Sequence, residues 1–189
     1  MEREVVELGN IAIIDTETNW SDKVMSIGTV IADEDTFVCL DRKYHVLTPE
    51  YTVGGMYDHW LFPDDIDTVL CTRAEALEQL QQWFRAYRIS ALYAYNASFD
   101  RNHLPELRSF RWYDIMRLAA YRQYNSKIPA TAPLFSTGRM KRGYGVEAML
   151  RLLSGRSSYC ETHNALNDAI DELEIMRLLG YHPADYLPL

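Results

Sequence analysis

The chain opens in strand rhythm and ends in helical rhythm. Ile11 to Ile14 is an unbroken apolar run of strand length that finishes in Asp15-Thr16-Glu17-Thr18. After a polar turn at Asn19–Asp22, Val24–Ala32 reads as a second strand. After Asp33-Glu34-Asp35, residues 36–47 alternate enough to make a third, so the first three strands form an antiparallel meander. Residues 49–67 are irregular, with Pro49, Gly54, Gly55 and many aromatics. Thr72-Arg73-Ala74-Glu75 then fits a capping box, in which hydroxyl and carboxylate satisfy free amides at a helix start. Ala76, Leu80, Trp83, Phe84 and Tyr87 continue at helical spacing.

Residues 89–95 read as another buried strand. Ser98 is placed to cap a helix over 99–107, and a further helix is expected over 112–124. Residues 125–145, rich in Pro and Gly, read as a long loop, a kind often retained for function. A short helix over 145–153 stops at Ser154-Gly155. Leu166, Ala169, Ile170, Leu173 and Met176 mark the last helix, closed by Gly180. This order gives one α/β domain over residues 1–189, with a mixed sheet of antiparallel meander plus parallel strands. Charge at Asp41, Arg42 and Lys43 inside the third strand points to an edge or a bulge.

Composition narrows the class. The chain has 189 residues, 48% hydrophobic and 24% charged, ordinary for a globular protein with a substantial core. Its net charge of −8 argues against coating nucleic acid over a broad basic surface, while leaving room for a small groove beside a metal-neutralised centre. The polar start Met1-Glu2-Arg3-Glu4 lacks a signal-peptide layout. No apolar run approaches the ~20 residues of a membrane span. Cys39, Cys71 and Cys160 are scattered and odd in number, which suggests neither a disulfide framework nor a zinc knuckle. The expected setting is cytoplasmic, with reduced thiols and no membrane partner.

The candidate chemistry sits where elements end. Residues two apart in a strand share a face, roughly 6.5 Å apart, so Asp15 and Glu17 project together. Two acids so placed repel unless a cation lies between them, and a hard divalent metal is the usual one. Asp100 follows a strand into a helix. His163 precedes the last helix, Asn164 is a plausible cap, and Asp168 lies in the first turns. Five residues apart is ~140° around a helix, so His163 must sit on the loop leading in to share a site with Asp168. Asp171, Glu172 and Glu174 read as solvated helix acids.

Three stretches in this order resemble the motifs of the DnaQ-like (DEDDh) 3′–5′ exonucleases: residues 13–18 (IIDTET), 96–100 (NASFD) and 163–169 (HNALNDA). Residues 114–119 (DIMRLA) look like that family's helix after the second motif, and the likeness runs from about Ile11 to Gly180. The resemblance implies an RNase H-like fold with helices on both faces of the sheet. It implies two divalent cations, Mg²⁺ or Mn²⁺, held by Asp15, Glu17, Asp100 and Asp168. Asp15 would bridge both, Glu17 and Asp168 would complete the first ion's shell, and Asp100 would serve the second. His163 would be the general base, a role imidazoles commonly take near neutral pH. The implied reaction is in-line hydrolysis of a terminal phosphodiester of single-stranded DNA or RNA to nucleoside 5′-monophosphates.

Thr16 and Thr18 flank Glu17 where the family meets the 3′-terminal nucleotide, with the Thr16 amide set toward the terminal hydroxyl. Tyr51, Met56, Tyr57, Trp60 and Phe62 either stack on bases or pin their own loop to the core. Arg139, Lys141 and Arg142 either grip phosphates upstream of the scissile bond or are simply solvated. The partner is nucleic acid with a single-stranded 3′ end, with a second copy of the chain or a polymerase as further candidates. Two alternatives stand beside the leading reading: an oligoribonuclease or RNA-trimming enzyme of the same fold, and a non-catalytic nucleic-acid-binding module.

Overall fold

The computed structural model describes residues 9–189. Its six-stranded sheet has the order β4-β3-β2-β1-β5-β6. Strands β1 (Asn10–Thr18), β2 (Val24–Asp33) and β3 (Cys39–Thr48) pair antiparallel as the meander. Strands β4 (Thr68–Thr72), β5 (Ala91–Ala94) and β6 (Arg111–Asp114) join it in parallel. The helices are α1 (Arg73–Ala86), α2 (Ser98–His103), α3 (Met116–Ala119), α4 (Val146–Ser154) and α5 (Ala165–Leu179). No helix of the described residues is long and apolar enough to cross a membrane.

Alternation along β1 divides the core in two. Ile11 and Ile13 face α5, packing with Leu166, Ala169, Leu173 and Met176. Ala12 and Ile14 face the other way, toward Leu77, Leu80 and Phe84 of α1 and toward Leu104 and Leu107. The sheet is thus a middle layer, covered on both faces. The same alternation carried past Ile14 turns Asp15 and Glu17 to the α5 side and Thr16 to the opposite side.

Several sequence expectations need correction. The third strand begins at Cys39 because Asp33 closes a turn first, its Oδ1 accepting from the Thr36 amide at 2.8 Å and the Thr36 hydroxyl at 2.7 Å. Residues 68–72 form the edge strand β4, so residues 49–67 are a crossover between two parallel strands. The helix expected over 112–124 is strand β6 followed by the single turn α3. Trp112 is buried through pairing beside Leu92, and its alternating neighbours follow strand, not helical, periodicity. Ser98 opens α2 without capping it, and the helix stops at His103, where Pro105 starts a separate 3₁₀ turn over Pro105–Leu107. The charge in β3 does mark a register shift, opposite Ile31 and Ala32. There Asp41 accepts hydrogen bonds from Trp83 Nε1 at 2.9 Å and the Tyr87 hydroxyl at 3.1 Å.

One glycine sets how closely α5 approaches the sheet. Gly28 on β2 pairs with Asp15 on β1. A Cβ at Gly28 would stand 2.1 Å from the Ala165 carbonyl and 2.2 Å from the Leu166 amide, the first turn of α5. Those are backbone atoms, which cannot rotate away. Asn164 fixes the same helix end: its Oδ1 accepts from the Leu166 amide at 3.1 Å, and its Nδ2 donates to the Trp60 carbonyl at 2.8 Å. We expect Gly28→Ala to push α5 off the sheet at a cost of about 1–3 kcal/mol, as overpacking usually does. A thermal melt should show this as a fall of at least ~2 °C in Tm; an unchanged Tm would mean that the helix has slack there.

Candidate active site

Four carboxylates converge at the C-terminal end of β1. Asp15 and Glu17 come from the strand, Asp100 from the start of α2, and Asp168 from the first turns of α5. Asp100 and Asp168 are only 2% and 4% exposed. The Thr16 hydroxyl donates to Asp100 Oδ1 at 2.8 Å, and the Thr16 amide also faces that carboxylate. The ligand atoms of Glu17, His163 and Asp168 lie within 4.8 Å of one another. His163 sits on the loop before α5 in the left-handed region, at φ 52°, a setting uncommon for any residue with a Cβ. Its ring stacks on Tyr57, centroids 4.1 Å apart and 18° from parallel.

A second tether holds the Asp100 turn. Asn96, between β5 and α2, also has a left-handed backbone at φ 60°. Its amide donates to Asp114 Oδ1 at 3.0 Å, and the Met116 amide donates to the same oxygen at 3.0 Å. Asp114 therefore clamps the ends of β5 and β6 together and presents Asp100 to Thr16.

The electrostatics are one-sided. Burial, then the charge of Asp100, pushes Asp15 well above the usual carboxylate range. Burial raises Glu17 to about 8, with Glu161 and Asp100 adding to it. Burial raises Asp100 to about 7 against the hydrogen bond from Thr16, and raises Asp168 to about 9 with help from Glu161 and Glu17. Among the described residues no lysine or arginine pairs with any of the four. Asp15 Oδ2 and Asp168 Oδ1 are buried without a hydrogen-bond partner. Crowded, unpartnered carboxylate oxygens are the donor set that hard divalent cations take.

Three acids escaped the sequence reading; one is Asp171, read as solvated but half-buried, accepting from the Tyr159 hydroxyl and raised chiefly by burial. Glu172 is not a solvated helix acid: it is 1% exposed, one turn beyond Asp168 on the same face of α5. Burial and Asp100 push it well up. The i, i+4 spacing from Asp168 carried that signal. Glu161 is half-buried and raised to about 7, chiefly by burial. It lies two residues before His163, on the side of the loop that faces Glu17 and Asp168.

The residues expected to meet substrate divide. Thr16, Glu17 and Thr18 line a groove of about 280 Å³ with Asn19, Trp20, Met56, Tyr57 and Phe99. Trp20 and Met56 stand out into it, 68% and 62% exposed. Arg139 packs over the rings of Phe135 and Tyr144, and Lys141 over Phe135, so their contacts lie within their own turn. Arg142 is exposed. A larger hollow between Lys23, Arg73 and His103 lies apart from the carboxylates. Within it Arg73 pairs with Glu106 and His103 with Asp22, while Glu50 Oε2 is buried without a hydrogen-bond partner.

No family model matches the chain, and no curated protein matches it in sequence. Solved structures do match in fold. The nuclease domain of 3′hExo, a DEDDh family member bound to rAMP, superposes with a TM-score of 0.63 at 16% identity, covering 97% of this chain and 98% of that one. A 3′-exonuclease described for 3′-end-specific recognition of histone mRNA stem-loop gives 0.60 at 15%, covering 97% and 71%. E. coli Exonuclease I, in complex with an oligonucleotide, gives 0.59 at 12%, covering 95% of this chain and 42% of that one. The six-stranded mixed sheet with its helices is thus the RNase H-like α/β fold that these structures share.

The raised carboxylates bind protons more tightly folded than unfolded. Their contribution to stability is therefore present below about pH 4 and is lost as pH rises through about 7 to 9. In EDTA the Tm should fall between pH 5 and pH 9, less steeply in Glu17→Gln than in the parent chain. Equal slopes in thermal melts of the two would show that Glu17 is not held in this way.

Proposed function

We propose that the chain is a metal-dependent 3′–5′ exonuclease that hydrolyses terminal phosphodiesters of single-stranded DNA or RNA to nucleoside 5′-monophosphates. The observation that carries this is the meeting of four unpaired carboxylates from β1, α2 and α5 under one histidine. The shared fold adds support, since the superposing structures include 3′-exonucleases, one of them bound to rAMP and another to an oligonucleotide. A non-catalytic binding module has no use for buried like charges that destabilise the metal-free fold.

Asp15, Glu17, Asp100 and Asp168 would hold two divalent cations, Mg²⁺ or Mn²⁺. When bound, such ions neutralise the carboxylates, acidify a water and stabilise charge on a leaving oxygen. His163 takes the proton from the attacking water at a ring nitrogen. Stacking on Tyr57 limits the turning of that ring, which keeps it over Glu17 and Asp168. Trp20, Met56, Tyr57 and Phe99 flank the groove as platforms for the terminal base, worth ~1–3 kcal/mol per stacked base. Thr16 keeps its hydroxyl on Asp100, so its part is to orient that carboxylate. Thr18 lines the groove wall. Arg139, Lys141 and Arg142 would meet phosphates further upstream. A net charge of −8 and a groove this small favour short substrates, the oligoribonuclease-like variant of the same reading.

Incubation with 5′-labelled single-stranded DNA and RNA in Mn²⁺ should give a ladder shortening from the 3′ end. EDTA and Asp15→Asn should each abolish it while the fold survives. Turnover retained in a purified Asp15→Asn protein contradicts the proposal. His163→Ala should slow the chemical step by ~10²–10⁴-fold, the range for losing a general base, with Mn²⁺ binding kept. A full-rate His163→Ala enzyme would assign the proton to another group.

A further inference from the structure

The four-acid site leaves one acid over. Glu172 projects from the same face of α5 as Asp168, beneath the end of β1. One side of its carboxylate faces the Tyr95 amide at the end of β5. Its Oε2 is buried and has no hydrogen-bond partner. Asp15 Oδ2, also buried, lacks a partner too. Tyr95 leads directly into the turn that carries Asp100, which sets the Glu172 carboxylate toward that turn, and the negative charge of Asp100 bears on both Glu172 and Asp15. Glu172 therefore lies on the Asp15–Asp100 side of the cluster. Glu17 and His163 stand with Asp168 on the other.

That division matters for how two cations would share the site. The first has Asp15, Glu17 and Asp168. The second would have only Asp15 and Asp100, and Asp100 is already tied to the Thr16 hydroxyl at 2.8 Å. A packed interior seldom leaves a carboxylate oxygen with no donor, and a nearby cation satisfies two such oxygens together. We propose that Glu172 is a fifth carboxylate of the metal centre, serving the cation shared by Asp15 and Asp100 directly or through a water. The inference rests on the metal reading above and adds a residue to it. It makes the second ion a tightly held one, where two carboxylates alone would leave it weakly bound.

Mn²⁺ titration of the full chain, followed by calorimetry and by the EPR signal of free Mn²⁺, tests this without turnover. The parent chain should bind two ions. Glu172→Gln keeps the size and an oxygen for the Tyr95 amide while removing the charge. It should weaken the second binding step about 10- to 100-fold, the usual effect of removing a supporting group, and leave the first within about 2-fold. Asp100→Asn should weaken the same step, and Glu17→Gln the other. Glu174→Gln, on the exposed side of α5 in an ion pair with Arg177, should change neither. If Glu172→Gln folds poorly, Glu172→Met, unbranched and of similar length, is used in its place. Both steps unchanged in a folded Glu172 variant, or only the first weakened, would overturn the proposal. A parent chain that binds no Mn²⁺ would overturn the metal reading itself, so the two failures are distinguishable.

Discussion

Like charges gathered in a buried place are the constraint on which the rest of this structure depends. Five acids, Asp15, Glu17, Asp100, Asp168 and Glu172, stand where β1, α2 and α5 meet, with the His163 imidazole beside two of them and, among the described residues, no lysine or arginine paired with any. Each is raised by burial before any neighbour is considered. An arrangement this unfavourable persists only if the surrounding fold over-determines it. Gly28 removes the side chain that would hold α5 away from β1, and Asn164 fixes where α5 begins. Asp114 ties down the turn that carries Asp100. The left-handed backbones of Asn96 and His163 fall at the junctions leading into α2, which carries Asp100, and α5, which carries Asp168.

The crossover over residues 49–67 links this centre to the groove beside it. It runs over the α5 face, where Leu61 joins the core, and its Trp60 carbonyl accepts from Asn164. Tyr57 from the same segment lies on the ring of His163, and Met56 helps to line the groove. A single irregular segment thus positions the helix carrying Asp168, the imidazole and part of the wall where a base would stack. Movement of this segment would change all three together.

Much of this was legible in the sequence where one physical rule acts alone. The apolar run into Asp15-x-Glu17, the capping box at Thr72 and the Gly180 stop each depend on local geometry, and the meander followed from short polar turns. What escaped reading depends on tertiary partners. β4 is five residues at an edge, recognisable only through β3. Trp112 and Asp114 belong to a four-residue strand that pairs beside β5, and Ile115, Leu118 and Ala119 after it imitate a longer helix. Glu172 sits in a run of acids, Asp171-Glu172-x-Glu174, whose members the sequence treats alike. Only packing separates the fully buried Glu172 from Asp171, half-buried against the Tyr159 hydroxyl, and from Glu174, paired with Arg177. The part played by Gly28 was equally hidden, because the backbone it touches lies more than a hundred residues away.

The most direct measurement of the central claim is anomalous diffraction from crystals of the full chain grown with Mn²⁺. The expected result is two anomalous peaks enclosed by Asp15, Glu17, Asp100 and Asp168. Their carboxylates should close on the metal, and His163 should be free of direct ligation. Carboxylates that stay as they are, with no peak among them at saturating Mn²⁺, would contradict the claim and leave a cluster of protonated acids in a nuclease-like fold.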